Sequence, residues 1–111
     1  MEANIVETRM QILNQNHDYL GLNKDQKTIQ VINGEKVIFS DRVGKINQSE
    51  WTQKRILAIT ENNIHNLDGK KVKRTIAINK LGGFCVNVLG KKKEFSLYVP
   101  EEYDYRFVYD K

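Results

Sequence analysis

At 111 residues the chain has room for one domain with one modest core, and its 40% hydrophobic and 29% charged residues are ordinary for a folded globular protein. A single cysteine, Cys85, excludes an internal disulfide framework and fits a reducing compartment. No apolar run approaches the roughly 18 residues that span a bilayer, and Met1 to Met10, interrupted by Glu2 and Glu7, lack the apolar core of a signal peptide. The expected setting is the cytosol.

The net charge of +4 is unevenly spread. Between Lys36 and Lys93 there are 13 Lys/Arg against 4 acids, a local balance of +9, whereas residues 1–35 carry −2 and residues 94–111 carry −3. One region of the fold therefore has a positive potential, suited to acidic lipid headgroups, nucleic acid or an acidic protein surface. The structural alternative is a set of solvated lysines on strand edges, where they discourage edge-to-edge aggregation.

In chain order, residues 3–16 place Ile5, Val6, Arg9, Met10, Leu13 and Asn16 at helical spacing and predict an amphipathic helix with a narrow apolar stripe. Residues 1–17 are expected to form this helix and a lead-in, and residues 18–111 the main domain. His17 to Leu22 breaks the period, with Gly21 a turn point. Lys36 to Ile46 is rich in β-branched residues, and Arg55 to Thr60 is an apolar run of strand length. Asn63 to Leu67 leads into Asp68-Gly69, a strong hairpin signal. Beyond it Val72, Arg74, Ile76 and Ile78 alternate with Lys71, Lys73, Thr75 and Ala77. Gly82-Gly83 makes a turn or bulge before Phe84, Val86 and Val88. Gly90 and Lys91 to Lys93 form a basic turn before Phe95, Leu97 and Val99, and Pro100 stops that strand. Tyr103, Tyr105, Phe107 and Tyr109 fall on one face of a last strand. Six or seven short antiparallel strands of this kind close into a small barrel or an orthogonal sandwich, and the pattern alone leaves both open.

The blocks Asp18-Tyr19-Leu20-Gly21-Leu22, Gly34 to Asp41 and Val43-Gly44-Lys45-Ile46-Asn47 resemble the opening of the class I myosin tail homology domain. The similarity continues through Arg55 to Thr60, Ile64 to Asp68, Val72 to Ile76 and Tyr98 to Tyr105, in the order and spacing of that family. The resemblance implies a mainly β, pleckstrin-homology-like, seven-stranded antiparallel barrel that attaches to anionic, phosphoinositide-containing membranes. No motor and no calmodulin-binding helix are present in these residues, which reads as a free-standing module. The family's capping helix beyond the last strand has no counterpart before Lys111, so the N-terminal helix or a partner protein is expected to cover that end of the barrel.

The resemblance also implies a headgroup site. Its two anchoring cations correspond to Lys45 and Arg55, with Lys54 beside the latter and Lys36 and Arg42 on the same first strand. Two cations flanking one loop can grip phosphate oxygens from both sides, Arg by bidentate hydrogen bonds. The loop between them, Ile46 to Gln53, holds no base, one acid (Glu50) and Trp51, which either enters a headgroup interface or packs against its own domain or a partner. Lys70, Lys71, Lys73 and Arg74 form a second basic group and Lys91, Lys92 and Lys93 a third.

Catalysis, cofactors and metals find no support in the sequence. His17 and His65 stand without a Cys or carboxylate at ligand spacing, and Cys85 reads as a small core residue of an apolar strand. Aromatic residues do not interleave with basic ones as on nucleic-acid platforms, so nucleic acid is not an expected partner. Two functions follow. One is a membrane adaptor bound to anionic lipid. The other is a protein-interaction part of a cytoskeletal or ciliary assembly, located in the cytoplasm at the membrane, cytoskeleton or cilium.

Overall fold

A computed structural model describes residues 17–89, 92–102 and 104–109. The helix expected over residues 3–16 lies outside these, as does Tyr103. The strands are β1 (His17–Asp18), β2 (Val37–Ile46), β3 (Thr52–Thr60), β4 (Asn63–Asp68), β5 (Lys71–Ala77), β6 (Gly83–Leu89), β7 (Lys92–Tyr98) and β8 (Tyr105–Tyr109). They make one sheet in the order β5-β4-β3-β2-β8-β7-β6, antiparallel throughout, with the two-residue β1 added in parallel to β2. The end strands β5 and β6 follow one another in the chain and are not paired, so the sheet curls without closing along that seam. The architecture is consistent with the expected pleckstrin-homology-like barrel or sandwich.

Alternation sorts side chains to two faces, because residues opposite one another in an antiparallel pair share a face. Val43, Leu57, Ile64, Ile76, Leu97, Val99, Tyr105 and Phe107 meet inside as the main core. Phe107 is fully buried and stacks on Phe95 with ring centroids 5.2 Å apart. The other face of β2, β3 and β4 is covered over part of its length. There Val37, Ala58 and Leu67 form a second core with Leu22 and Ile32.

That second core exists because residues 18–36 fold over the sheet, including a single 3-10 turn at Leu22–Lys24 and the six-residue helix α1 (Gln26–Val31). Neither was expected from the sequence, because six residues are too few to show a helical period. Polar side chains fasten this segment. The Asp18 carboxylate accepts from Leu22 N at 2.9 Å and Asn23 N at 2.8 Å, and Ser40 Oγ donates to it. The Asn23 amide donates to Val37 O and accepts from Val37 N, both at 2.8 Å, standing in for a neighbouring strand. Asp25 caps α1 by accepting from Lys27 N. Gly21 takes φ of +65°, as its place at the turn requires.

The β4–β5 hairpin turns where expected but one residue later. Asp68 pairs with Lys71, which leaves Gly69, at φ +59°, and Lys70 as the two loop residues. A bulge after Asn66 resets the alternation in β5. The largest departure is β6, where Cys85 is exposed rather than in the core and Phe84, Val86 and Val88 are exposed too. An end strand has a neighbour on one side only, so an apolar sequence does not by itself place it inside.

Candidate functional site

The long hairpin of β2 and β3 carries most of the expected site. Val43 pairs with Arg55, Gly44 with Lys54, and Lys45 with Gln53. Lys45 and Arg55 are therefore diagonal neighbours on the inner face, while Lys54 and Arg42 lie on the outer face, both exposed. Lys36 precedes β2 and is nine positions from Lys45, about 30 Å along an extended strand, so it does not join this group.

Arg55, Lys54 and Arg42 line one cavity of about 500 Å³, together with Val43, Gly44, Ile56, Asp68 and Gly69. Arg55 is the most enclosed of the three, with its side chain 11% exposed. Its guanidinium donates to Lys54 O at 2.8 Å and stands 3.8 Å from Asp68, while its Nε is buried without a hydrogen-bond partner among the described residues. Asp68 belongs to the site because it stands across the β3–β4 ladder from Arg55, next to the pairing of Ile56 with Leu67. That partnership was hidden in the sequence, since it follows from ladder register. Lys45 is half-buried, its Nζ 5.9 Å from the centre of the Tyr105 ring.

The other cations fare differently. Arg74 donates to the Tyr105 hydroxyl at 2.9 Å and to Glu102, and these partners raise its pKa above the ordinary guanidinium value. The same contacts, Arg74 first and Tyr105 second, lower the pKa of Glu102. Arg106 is held between Glu94 and Glu50, both at 2.9 Å, and Lys70 reaches Asp25 at 2.8 Å. Lys71 and Lys73 are exposed on β5. Of the third basic group, Lys91 and the Lys92 side chain lie outside the described part, and Lys93 lies on an apolar cavity instead. Among the described residues, Trp51 has no close packing over its ring. It is 71% exposed, with its loop folded by Asn47, whose side chain accepts from Ser49 N and Trp51 N.

His65 is a structural residue. It is buried, its Nδ1 is 2.9 Å from Thr75 Oγ1, and its Nε2 is 3.2 Å from Glu35. Glu35 also accepts from Thr60 Oγ1 at 2.6 Å and from Asn63 Nδ2 at 2.9 Å, fixing the end of the 18–36 segment to β3 and β4. Burial works to raise the Glu35 pKa, but the hydrogen bonds from Asn63, Thr60 and His65 outweigh it and lower the value.

These features define a small antiparallel β module of the binding kind, presenting a cationic hairpin and an exposed tryptophan. Residues 14–108 match the family described as unconventional myosin tail, actin- and lipid-binding, and the chain belongs to it. That family is a binding module rather than a catalytic one. No individual curated protein matches the chain. Among the described residues, no helix is long and apolar enough to cross a membrane.

Proposed function

We propose that this module attaches peripherally to anionic membranes through the β2–β3 hairpin. The observation that carries this is the cavity lined by Arg42, Lys54 and Arg55 on a hairpin whose loop exposes Trp51, in a chain whose family is described as lipid-binding. Exposed cations near a membrane surface contribute about 1 kcal/mol each, and an indole ring favours the headgroup region. Asp68 in the same cavity offsets part of the charge on Arg55, which favours diffuse attraction to an acidic surface over a tight grip on one phosphoinositide headgroup. Lys45, shielded by Tyr105, adds long-range attraction.

Sedimentation with phosphatidylcholine vesicles, with or without phosphatidylserine or phosphatidylinositol bisphosphate, tests the idea at low and physiological salt. Binding should need the acidic lipid, fall with salt, and drop roughly tenfold or more in Arg42→Ala with Lys54→Ala, on about 1 kcal/mol per charge. Both side chains are exposed, so the fold should survive. Equal binding by the double variant would remove this face from consideration. A second function, docking into a cytoskeletal protein assembly, is favoured by one observation, the exposed apolar side chains of β6.

A further inference from the structure

The loop joining β2 to β3 is held in two ways. Asn47 closes it from within: its backbone N donates to Trp51 O at 2.9 Å, and its side chain accepts from Ser49 N at 2.9 Å and Trp51 N at 3.0 Å. Trp51 therefore has both backbone groups bonded, while the residue as a whole is 71% exposed. The second hold comes from outside the loop. Glu50 accepts from Arg106 of β8 at 2.9 Å, and Arg106 is itself fixed by Glu94 of β7, which accepts from its Nε at 2.9 Å. Arg106 pairs with Ile46, the last residue of β2, so it stands at the base of the loop. Glu50 takes φ of +64°, uncommon for a residue with a side chain, in the position next to Trp51.

We propose that Asn47, Glu50 and Arg106 are positioning residues, which hold this loop in the shape in which Trp51 enters the headgroup region of an anionic membrane. Such a role rests on the membrane attachment proposed above. Order in the free protein lowers the cost of binding, because a loop that is already fixed loses little freedom when it meets lipid. The arrangement also accounts for an acid in a loop that holds no base. Glu50 alone would oppose an acidic surface, but its charge is matched by Arg106. Arg106, shared by two acids, is occupied within the protein rather than offered to lipid. The pair of Glu50 and Arg106 is exposed, at 71% and 37%, and an exposed ion pair adds little to the stability of a fold. Its effect therefore belongs to the loop, and shows in the insertion of Trp51 rather than in melting.

Trp51 is the single tryptophan of the chain, so its fluorescence reads the loop directly. The full chain is mixed with phosphatidylcholine vesicles containing phosphatidylserine, with enough lipid to sediment all of it, which removes differences in affinity from the reading. Lipid brominated near the top of its acyl chains should quench Trp51 of the wild type, and its emission should shift to the blue. Glu50→Gln and Asn47→Ala should each lower that quenching about twofold or more and reduce the fluorescence anisotropy of the free protein, with melting temperatures close to wild type. On charge alone Glu50→Gln would engage acidic lipid better and Asn47→Ala no differently, so a loss in both separates positioning from electrostatics. Undiminished quenching in either variant would overturn the proposal. So would a wild type that sediments with the vesicles without any change in Trp51 emission, a result that leaves the membrane reading standing. A wild type that does not sediment with these vesicles would overturn the membrane reading, and this role with it.

Discussion

Two apolar surfaces of this module, similar in chemistry, are treated in opposite ways. Part of the outer face of β2, β3 and β4 is covered by residues 18–36, which bury Leu22 and Ile32 against Val37, Ala58 and Leu67. The mouth beside β6 exposes Phe84 and Val86 over an equally apolar interior. What separates them is polar fastening. Asp18, Asn23 and Glu35 fix the covering segment to backbone and side-chain groups of the sheet, whereas among the described residues no such device holds a cover over Phe84 and Val86. Hydrophobic attraction is non-directional, so hydrogen bonds of fixed geometry decide which part of a chain settles on which face.

The largest expected effect tests the covered side. Ile32 is fully buried, and Ile32→Ala should cost about 2–5 kcal/mol in denaturant unfolding. A loss below about 1 kcal/mol would mean that the covering segment is only loosely seated. Next is its anchor. Glu35→Ala should cost roughly 1–3 kcal/mol by leaving the enclosed donors of Thr60 and Asn63 without their acceptor. The pKa of Glu35 is lowered in the folded state, so its contribution is complete above the ordinary carboxylate value of 4.5 and is lost as pH falls through the lowered one. Melting temperatures measured from neutral pH down to acid should show that loss, and Glu35→Gln should flatten it.

On the open side the expectation is smaller. Phe84 is 71% exposed, so Phe84→Ala should cost within about 0.5 kcal/mol in denaturant unfolding. A cost above about 1 kcal/mol would show that Phe84 is covered in solution. The smallest effect concerns the cationic hairpin. Asp68→Asn frees Arg55 from its counter-charge and should strengthen binding to phosphatidylserine vesicles a few-fold, with the gain shrinking as salt is raised. Weaker binding would indicate that Asp68 positions Arg55 for the membrane instead of opposing it.

Much of the strand pattern was legible. The apolar alternation from Phe95 to Val99 and from Tyr105 to Tyr109 marked β7 and β8, and the β-branched run after Lys36 marked β2. Lys45 and Arg55 share a face of the β2–β3 hairpin. Less legible was the company they keep, because Asp68 and Tyr105 reach them through ladder register and sheet curvature. The small helix α1 was hidden by its length, and its function as a cover rests on single residues such as Asn23, which form no periodic signal.

The sequence by itself determined the class of this protein. Alternation with period two, glycine-marked turns and a basic middle stretch specify an antiparallel β module with a positive region, because side-chain direction and charge are local properties of the chain. Only the tertiary structure decided which alternating residues become interior. Val37, Ala58 and Leu67 are buried on the outer face because a segment folds back on them, and Phe84, Val86 and Cys85 are exposed because β6 ends the sheet. Burial is a property of what arrives from elsewhere in the chain, and no pattern within a strand contains it.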